Sequence, residues 1–280
     1  MIRMVPSAFP FTVVLVSFLA MIPRAMAGLL VAPTRIVLSE NQRVATVNLR
    51  HIGNREGRYR ISLIFNRMKP DGSMEEVTDP SPEERPAMKL VRFAPSVAVL
   101  QPNIEQVARI MLIPKKGIPD GEYRAHLLFD PTEDTEREVV GKTKKKDGKS
   151  IGMRLEANMS VAVPVFVRYG EVNVQPEMTN LKLSQSKSGA PSVSLDLLSR
   201  GNGFLRGDLE VFFHPRGQDP VLVGLVRGLP SYLNFRKFST PLSVPKGVVL
   251  QKGELRAELR EPEQGGVKGK LLSVAEVKIP

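Results

Sequence analysis

Met153-Arg154-Leu155-Glu156-Ala157-Asn158-Met159-Ser160-Val161-Ala162-Val163-Pro164-Val165-Phe166-Val167 carries an apolar residue at every odd position. The even positions include Arg154, Glu156, Asn158 and Ser160. Successive side chains of a strand point to opposite faces, so a period of two marks a half-buried β-strand rather than a helix. At about 3.3 Å per residue the stretch would extend roughly 50 Å, whereas an ordinary strand has about five or six residues. A strand of that length is long enough to serve more than its own sheet.

Upstream of it lies a polar stretch, Asp130 to Ser150, containing Gly141-Lys142-Thr143-Lys144-Lys145-Lys146-Asp147-Gly148-Lys149. Like charges this close repel one another and disfavour packing, so the stretch reads as a loop. Before the loop come further alternating sets: Ala45, Val47 and Leu49; Tyr59, Ile61, Leu63 and Phe65; Val107 to Ile113; and Tyr123, Ala125, Leu127 and Phe129. The pattern breaks near Arg168 to Gly170, and a second series starts at Val172 and Val174. It continues around Val193 to Leu197, Gly207 to Phe213, Val221 to Val226, Leu255 to Leu259 and Lys270 to Ile279. Many short strands punctuated by Gly, Pro, Asn and Asp predict an all-β chain of antiparallel β-sandwiches. The break places one domain over 28–169 and a second over 170–280.

The N-terminus has the layout of a secretory signal peptide: Arg3, an apolar run from Phe9 to Met21, and the small-residue site Ala25-Met26-Ala27. That predicts a leader over 1–27, cleavage after Ala27 and export, with Gly28 as the mature start. The formal charge of +11 falls to +9 when Arg3 and Arg24 leave with it. There is no cysteine, so packing rather than crosslinks must hold an exported fold together.

The inventory for catalysis is poor. His51, His126 and His214 stand in separate segments without metal-ligand spacing, and no organised site for an enzyme emerges. Gly201-Asn202-Gly203 lacks the longer glycine fingerprint of a phosphate loop and reads as a turn between strands. Asp120, Glu122, Asp130, Glu133 and Asp134 match no calcium-loop pattern and read as a solvated charged rim. No cofactor, metal, nucleic acid or stable membrane insertion is expected.

What remains is the long strand. Its apolar row can be offered to another chain by strand addition, in which an exposed sheet edge supplies unpaired backbone groups and bulky side chains fill a neighbour's open core. Burying three or four Leu, Met or Val side chains would contribute about 5 to 10 kcal/mol gross, before the costs of association.

At this point several segments, in order, carry a resemblance: Ala32-Pro33-Thr34-Arg35; Ala45-Thr46-Val47-Asn48-Leu49; Pro102 followed by Gln106-Val107-Ala108-Arg109-Ile110; Ile118-Pro119-Asp120-Gly121-Glu122-Tyr123-Arg124; and Val163-Pro164-Val165-Phe166-Val167-Arg168. Together, behind a signal peptide, they resemble the PapD-like periplasmic chaperones of the chaperone–usher pilus pathways, with the last segment closer to the archaic branch. The resemblance implies two immunoglobulin-like β-sandwich domains set at an angle. It implies a chaperone that completes a pilus or fimbrial subunit with its own strand, prevents aggregation and delivers the subunit to an outer-membrane usher.

Carried onto this sequence, Leu155, Ala157, Met159 and Val161 fall at the donor positions. Arg35 falls where one of two cations anchors the subunit's C-terminal carboxylate, for which a guanidinium fork is suited. The second cation, a lysine in the family, is replaced here by Pro164, which leaves Arg168 or Arg124 as substitutes; strand parity does not choose between them. The leading expectation is therefore a periplasmic, non-enzymatic chaperone whose free form can self-associate through its apolar row. The alternative is an exported immunoglobulin-like structural component of a surface appendage.

Overall fold

The computed structural model describes residues 28–53, 56–132, 159–186 and 189–280. The expected leader 1–27, the Lys142 to Lys149 loop and the donor positions Leu155 and Ala157 lie outside the described residues.

The first eleven strands in chain order are β1 Leu29–Ala32, β2 Ile36–Ser39, β3 Val44–His51, β4 Gly57–Ile64, β5 Asn66–Met68, β6 Met74–Glu76, β7 Val91–Ala94, β8 Val97–Leu100, β9 Glu105–Leu112, β10 Gly121–Pro131 and β11 Val161–Tyr169. A five-residue helix, α1 Pro86–Leu90, precedes β7 and carries Pro86 at its first turn, where a missing N–H leaves no bond unmade. Two sheets, β1-β3-β9-β7 and β2-β11-β10-β4-β8, face each other, and β5 and β6 form a separate hairpin. The chain passes from one sheet to the other between β1 and β2, at Pro33 and Thr34.

Seven further strands follow: β12 Val174–Gln185, β13 Pro191–Gly201, β14 Leu205–Pro215, β15 Val221–Ser231, β16 Phe235–Pro241, β17 Gly253–Arg260 and β18 Leu271–Ile279. They form the sheets β12-β13-β16 and β15-β14-β17-β18. In both halves the first two sheet partners lie beside a later strand (β1-β3-β9 and β12-β13-β16), opposite a sheet that holds the last two strands and a middle one (β11-β10-β4 and β18-β17-β14). This is the A-B-E against G-F-C arrangement of immunoglobulin-like sandwiches.

The alternating residues of the sequence build two separate cores. Val47, Leu49, Ile61, Leu127, Phe129, Val163, Val165 and Val167 belong to the first. Val193, Leu195, Leu209, Val211, Leu255 and Ala257 belong to the second. In β9 the inward set is Ala108, Ile110 and Leu112, so Val107 and Ile113, at the ends of the predicted strand, are exposed.

One expectation is corrected. Glu122 is no part of a solvated rim: it is buried at 5% exposure, together with Arg124 and His126 on the same strand. These three alternate with Tyr123, Ala125 and Leu127, so they occupy the face of β10 that points away from the first core. A second layer of protein covers that face, which a reading of one strand alone does not reveal. Among the described residues no helix is long and apolar enough to cross a membrane, and no group of three or more His, Asp or Glu side chains is placed to hold a metal ion.

Candidate functional site

β11 is the described end of the long alternating segment, and its two halves differ in their neighbours. β10 pairs with it over its whole length, from Phe129↔Val161 to Gly121↔Tyr169. β2 runs parallel to it on the other side but pairs only with Val165 to Arg168. Val161 to Pro164 therefore have a strand neighbour on one side only, among the described residues. Pro164 falls within this unpaired stretch, where a residue without an N–H costs no ladder bond. Of the four donor positions, Met159 precedes β11 and is 66% exposed, whereas Val161 is half-buried against the first core.

Phe166 breaks the alternation. It is buried at 1% although it lies on the face opposite Val165 and Val167. The reason is the second sandwich: the Phe166 ring stands 6.2 Å from Phe204 and 5.8 Å from Tyr232, and those two rings meet edge-on at 5.5 Å. Arg35, just before β2, lays its guanidinium over Phe166 at 4.1 Å from the ring centre.

A cleft of about 200 Å³ opens over this cluster, walled by Arg35, Pro164 and Phe166 from the first sandwich and by Phe204, Arg206 and Tyr232 from the second. Arg35 makes no hydrogen bond or ion pair among the described residues, and its Nε is buried without a partner. Burial holds the Arg35 pKa below the usual guanidinium value, and the positive charge of Arg206 adds to the effect, while the Glu122 carboxylate opposes it in part. Arg206, at the start of β14, is exposed and likewise has no acidic partner among the described residues.

The other two arginines considered from sequence are engaged elsewhere. Arg168 donates from Nε to the buried Glu122 carboxylate at 3.0 Å. Arg124 is shut in at 4% exposure with its guanidinium 4.0 Å from the Tyr232 ring centre. Burial pushes the Arg124 pKa down to about 10. Its Nη1 lies 3.2 Å from His126 Nε2, while the Asn66 N–H points at His126 Nδ1 from 3.3 Å. A neutral imidazole has a single acceptor nitrogen, so only one of these contacts is a hydrogen bond, and protonation would remove both. Burial first, and Arg124 second, push the His126 pKa down to about 4.

A polar hinge supports the cleft. The second oxygen of Glu122 accepts the Phe204 backbone N–H at 3.0 Å, and the Glu122 N–H donates to the Asn202 carbonyl at 2.8 Å. The Asn202 side chain donates to the carbonyls of Asp120 at 3.0 Å and Glu171 at 2.9 Å, and accepts from the Asn173 N–H at 2.8 Å. Gly201-Asn202-Gly203 is thus the predicted turn, between β13 and β14, and also the point where the two sandwiches are tied. At the far side Arg236 of β16 lies against Gly72 in the β5–β6 turn. A Cβ at Gly72, whose φ is +86°, would sit 1.9 Å from that guanidinium. Glu122, Asn202, Phe204, Arg206 and Tyr232 were not singled out as site residues in sequence, because no local pattern distinguishes them.

No family model matches the chain, and no curated protein sequence matches it significantly. Among solved structures the chain is similar to the class 5 fimbriae chaperone CfaA, at 13% identity and a TM-score of 0.45, covering 90% of this chain and 99% of that one. It is similar to the YadV chaperone at 11% identity and a TM-score of 0.44, covering 90% and 100%. A chain of the CsuC–CsuE chaperone–tip adhesion subunit pre-assembly complex, from archaic chaperone-usher Csu pili of Acinetobacter baumannii, matches at 14% identity and a TM-score of 0.39, covering 76% and 90%.

Proposed function

We propose that this protein is a periplasmic chaperone that captures pilus or fimbrial subunits by donating a strand and passes them to an outer-membrane usher. The observation that carries the reading is the edge of β11. From Val161 to Pro164 it has a neighbour on one side only among the described residues, and in sequence it follows directly on the exposed Met159 and the apolar row that starts at Met153. An incoming strand finds backbone groups free to pair on that side, and Leu155, Ala157 and Met159 supply side chains for its core. Val161, half-buried against its own sandwich, marks the limit of the donated portion.

The cleft lies beside the same strand, since Pro164 and Phe166 help wall it. Arg35, unpaired and fixed over Phe166, is the cation offered to the subunit's terminal carboxylate. The reaction needs neither cofactor nor nucleotide, because capture and release exchange one strand pairing for another.

The test is capture of small exported β-rich proteins from periplasmic extract by wild type and by Leu155→Asp/Met159→Asp. The folded double variant is expected to lose that capture, since two charges would have to enter an apolar core. Unchanged recovery with a folded variant would sink the reading. Appearance of the protein in sheared surface fractions would instead favour a structural component of an appendage.

A further inference from the structure

The family-like second cation is missing at Pro164, and the two arginines nearest in sequence terms are otherwise engaged: Arg168 with Glu122, and Arg124 beneath Tyr232. The cleft nevertheless holds two guanidiniums. Arg35 enters from the first sandwich, just before β2, and Arg206 from the second, at the start of β14. Neither has a hydrogen-bonded acid among the described residues, and one donor of Arg35 is buried with nothing to bond. Folding has placed two like charges on the walls of one small cleft, and the Glu122 carboxylate, already bonded to Arg168, offsets the charge of Arg35 only in part.

Resting on the chaperone reading, we infer that Arg206 is the second cation of the carboxylate site, so that a bound chain's C-terminus is gripped by one guanidinium from each domain. A carboxylate presents about four lone-pair positions on two oxygens and can accept from both forks at once. The depression of the Arg35 pKa by Arg206 is relieved when an anion enters between them. The consequence is coupling. Because its two arms belong to different sandwiches, the site is complete only in one relative placement of the domains, the one that the Glu122–Phe204 and Asn202–Asp120 bonds also favour. Capture of a terminus and closure of the cleft then stabilise each other.

The experiment uses a fluorescein-labelled ten-residue peptide of alternating Val and Thr, as the free acid, as the C-terminal amide, and as the amide with one internal Glu. Binding is followed by anisotropy with the full mature chain. Wild type is expected to prefer the free acid over both amides. Arg206→Gln should weaken the free acid about tenfold or more and leave the amides unchanged, the range expected for losing one charge-assisted bond. Arg206→Lys should restore most of the preference. On free-acid binding, hydrogen exchange of the Phe204 and Leu205 amides should slow in wild type and not in Arg206→Gln.

The inference is overturned if Arg206→Gln, checked as folded by circular dichroism, binds all three peptides as wild type does while Arg35→Gln loses the preference. It is also overturned if wild type does not distinguish the free acid, or if the internal Glu substitutes fully for the terminus. Failure of the chaperone reading looks different: the free-acid preference and its dependence on Arg206 persist, but Leu155→Asp/Met159→Asp still captures β-rich subunits undiminished.

Discussion

The two halves of β11 share one sequence pattern and meet different surroundings. From Val165 to Arg168 the strand is paired on both sides, and Phe166 is sealed by the second sandwich. From Val161 to Pro164 it is paired on one side only among the described residues, and Met159, just before it, is exposed. Apolar alternation says which residues can be buried, and the number of neighbours says which are. The half with two neighbours holds the molecule together; the half with one keeps an open edge among the described residues, which is what the proposed strand donation requires.

This contrast predicts opposite responses to mutation. Phe166→Ala should have the largest effect, about 3 to 5 kcal/mol of stability, because it empties a ring site shared by two domains. Urea unfolding would measure it, and a loss below about 1 kcal/mol would show that the junction collapses around the gap.

The next effect comes with acid. His126 titrates at about 4 in the fold, below the roughly 6.5 of an exposed histidine. The unfolded chain therefore takes up its proton first. The stability contributed by neutral His126 is complete above about pH 6.5 and is lost as pH falls towards 4, amounting to up to about 3 kcal/mol. Comparing urea midpoints of wild type and His126→Gln across that window isolates the histidine from titrating carboxylates. Parallel curves would mean that His126 has no such role.

Glu122→Ala removes the acceptor of both Arg168 and the Phe204 N–H. It should lower stability by about 1 to 3 kcal/mol, with Arg168 free to turn to water. Faster hydrogen exchange at the Phe204 amide would identify the junction as the place affected. The smallest expected change is in the other half: Met159→Asp should alter stability by less than about 0.5 kcal/mol, as for other exposed sites. A larger loss would mean that Met159 is already covered in the free protein, as self-association through the apolar row would require.

Much of this architecture was legible. The apolar odd positions of the long segment mark one face of a strand, and three of them, Val163, Val165 and Val167, are buried in the first core. The strand sets around Ala45 to Leu49, Tyr59 to Phe65 and Gly207 to Phe213 appear as β3, β4 and β14. Arg35, expected from the resemblance to anchor a carboxylate, lines the cleft between the sandwiches. Glu122 departs from the solvated rim expected of it, because a carboxylate among charges looks solvated until the backbone of a segment 82 positions away, the Phe204 N–H, arrives to bond it. Arg206 is one of 40 lysines and arginines and carries no local mark.

The sequence by itself determined the strands and their inward faces, because the alternation of side chains along an extended backbone is a property of neighbouring residues. Only the tertiary structure decided that β2 stops short of Pro164, that Phe166 is covered from outside its own sandwich, and that Arg206 faces Arg35. Those outcomes depend on how two separately packed cores are placed against each other, and the bonds that fix the placement, Glu122 to Phe204 and Asn202 to Asp120, join residues with no shared local pattern.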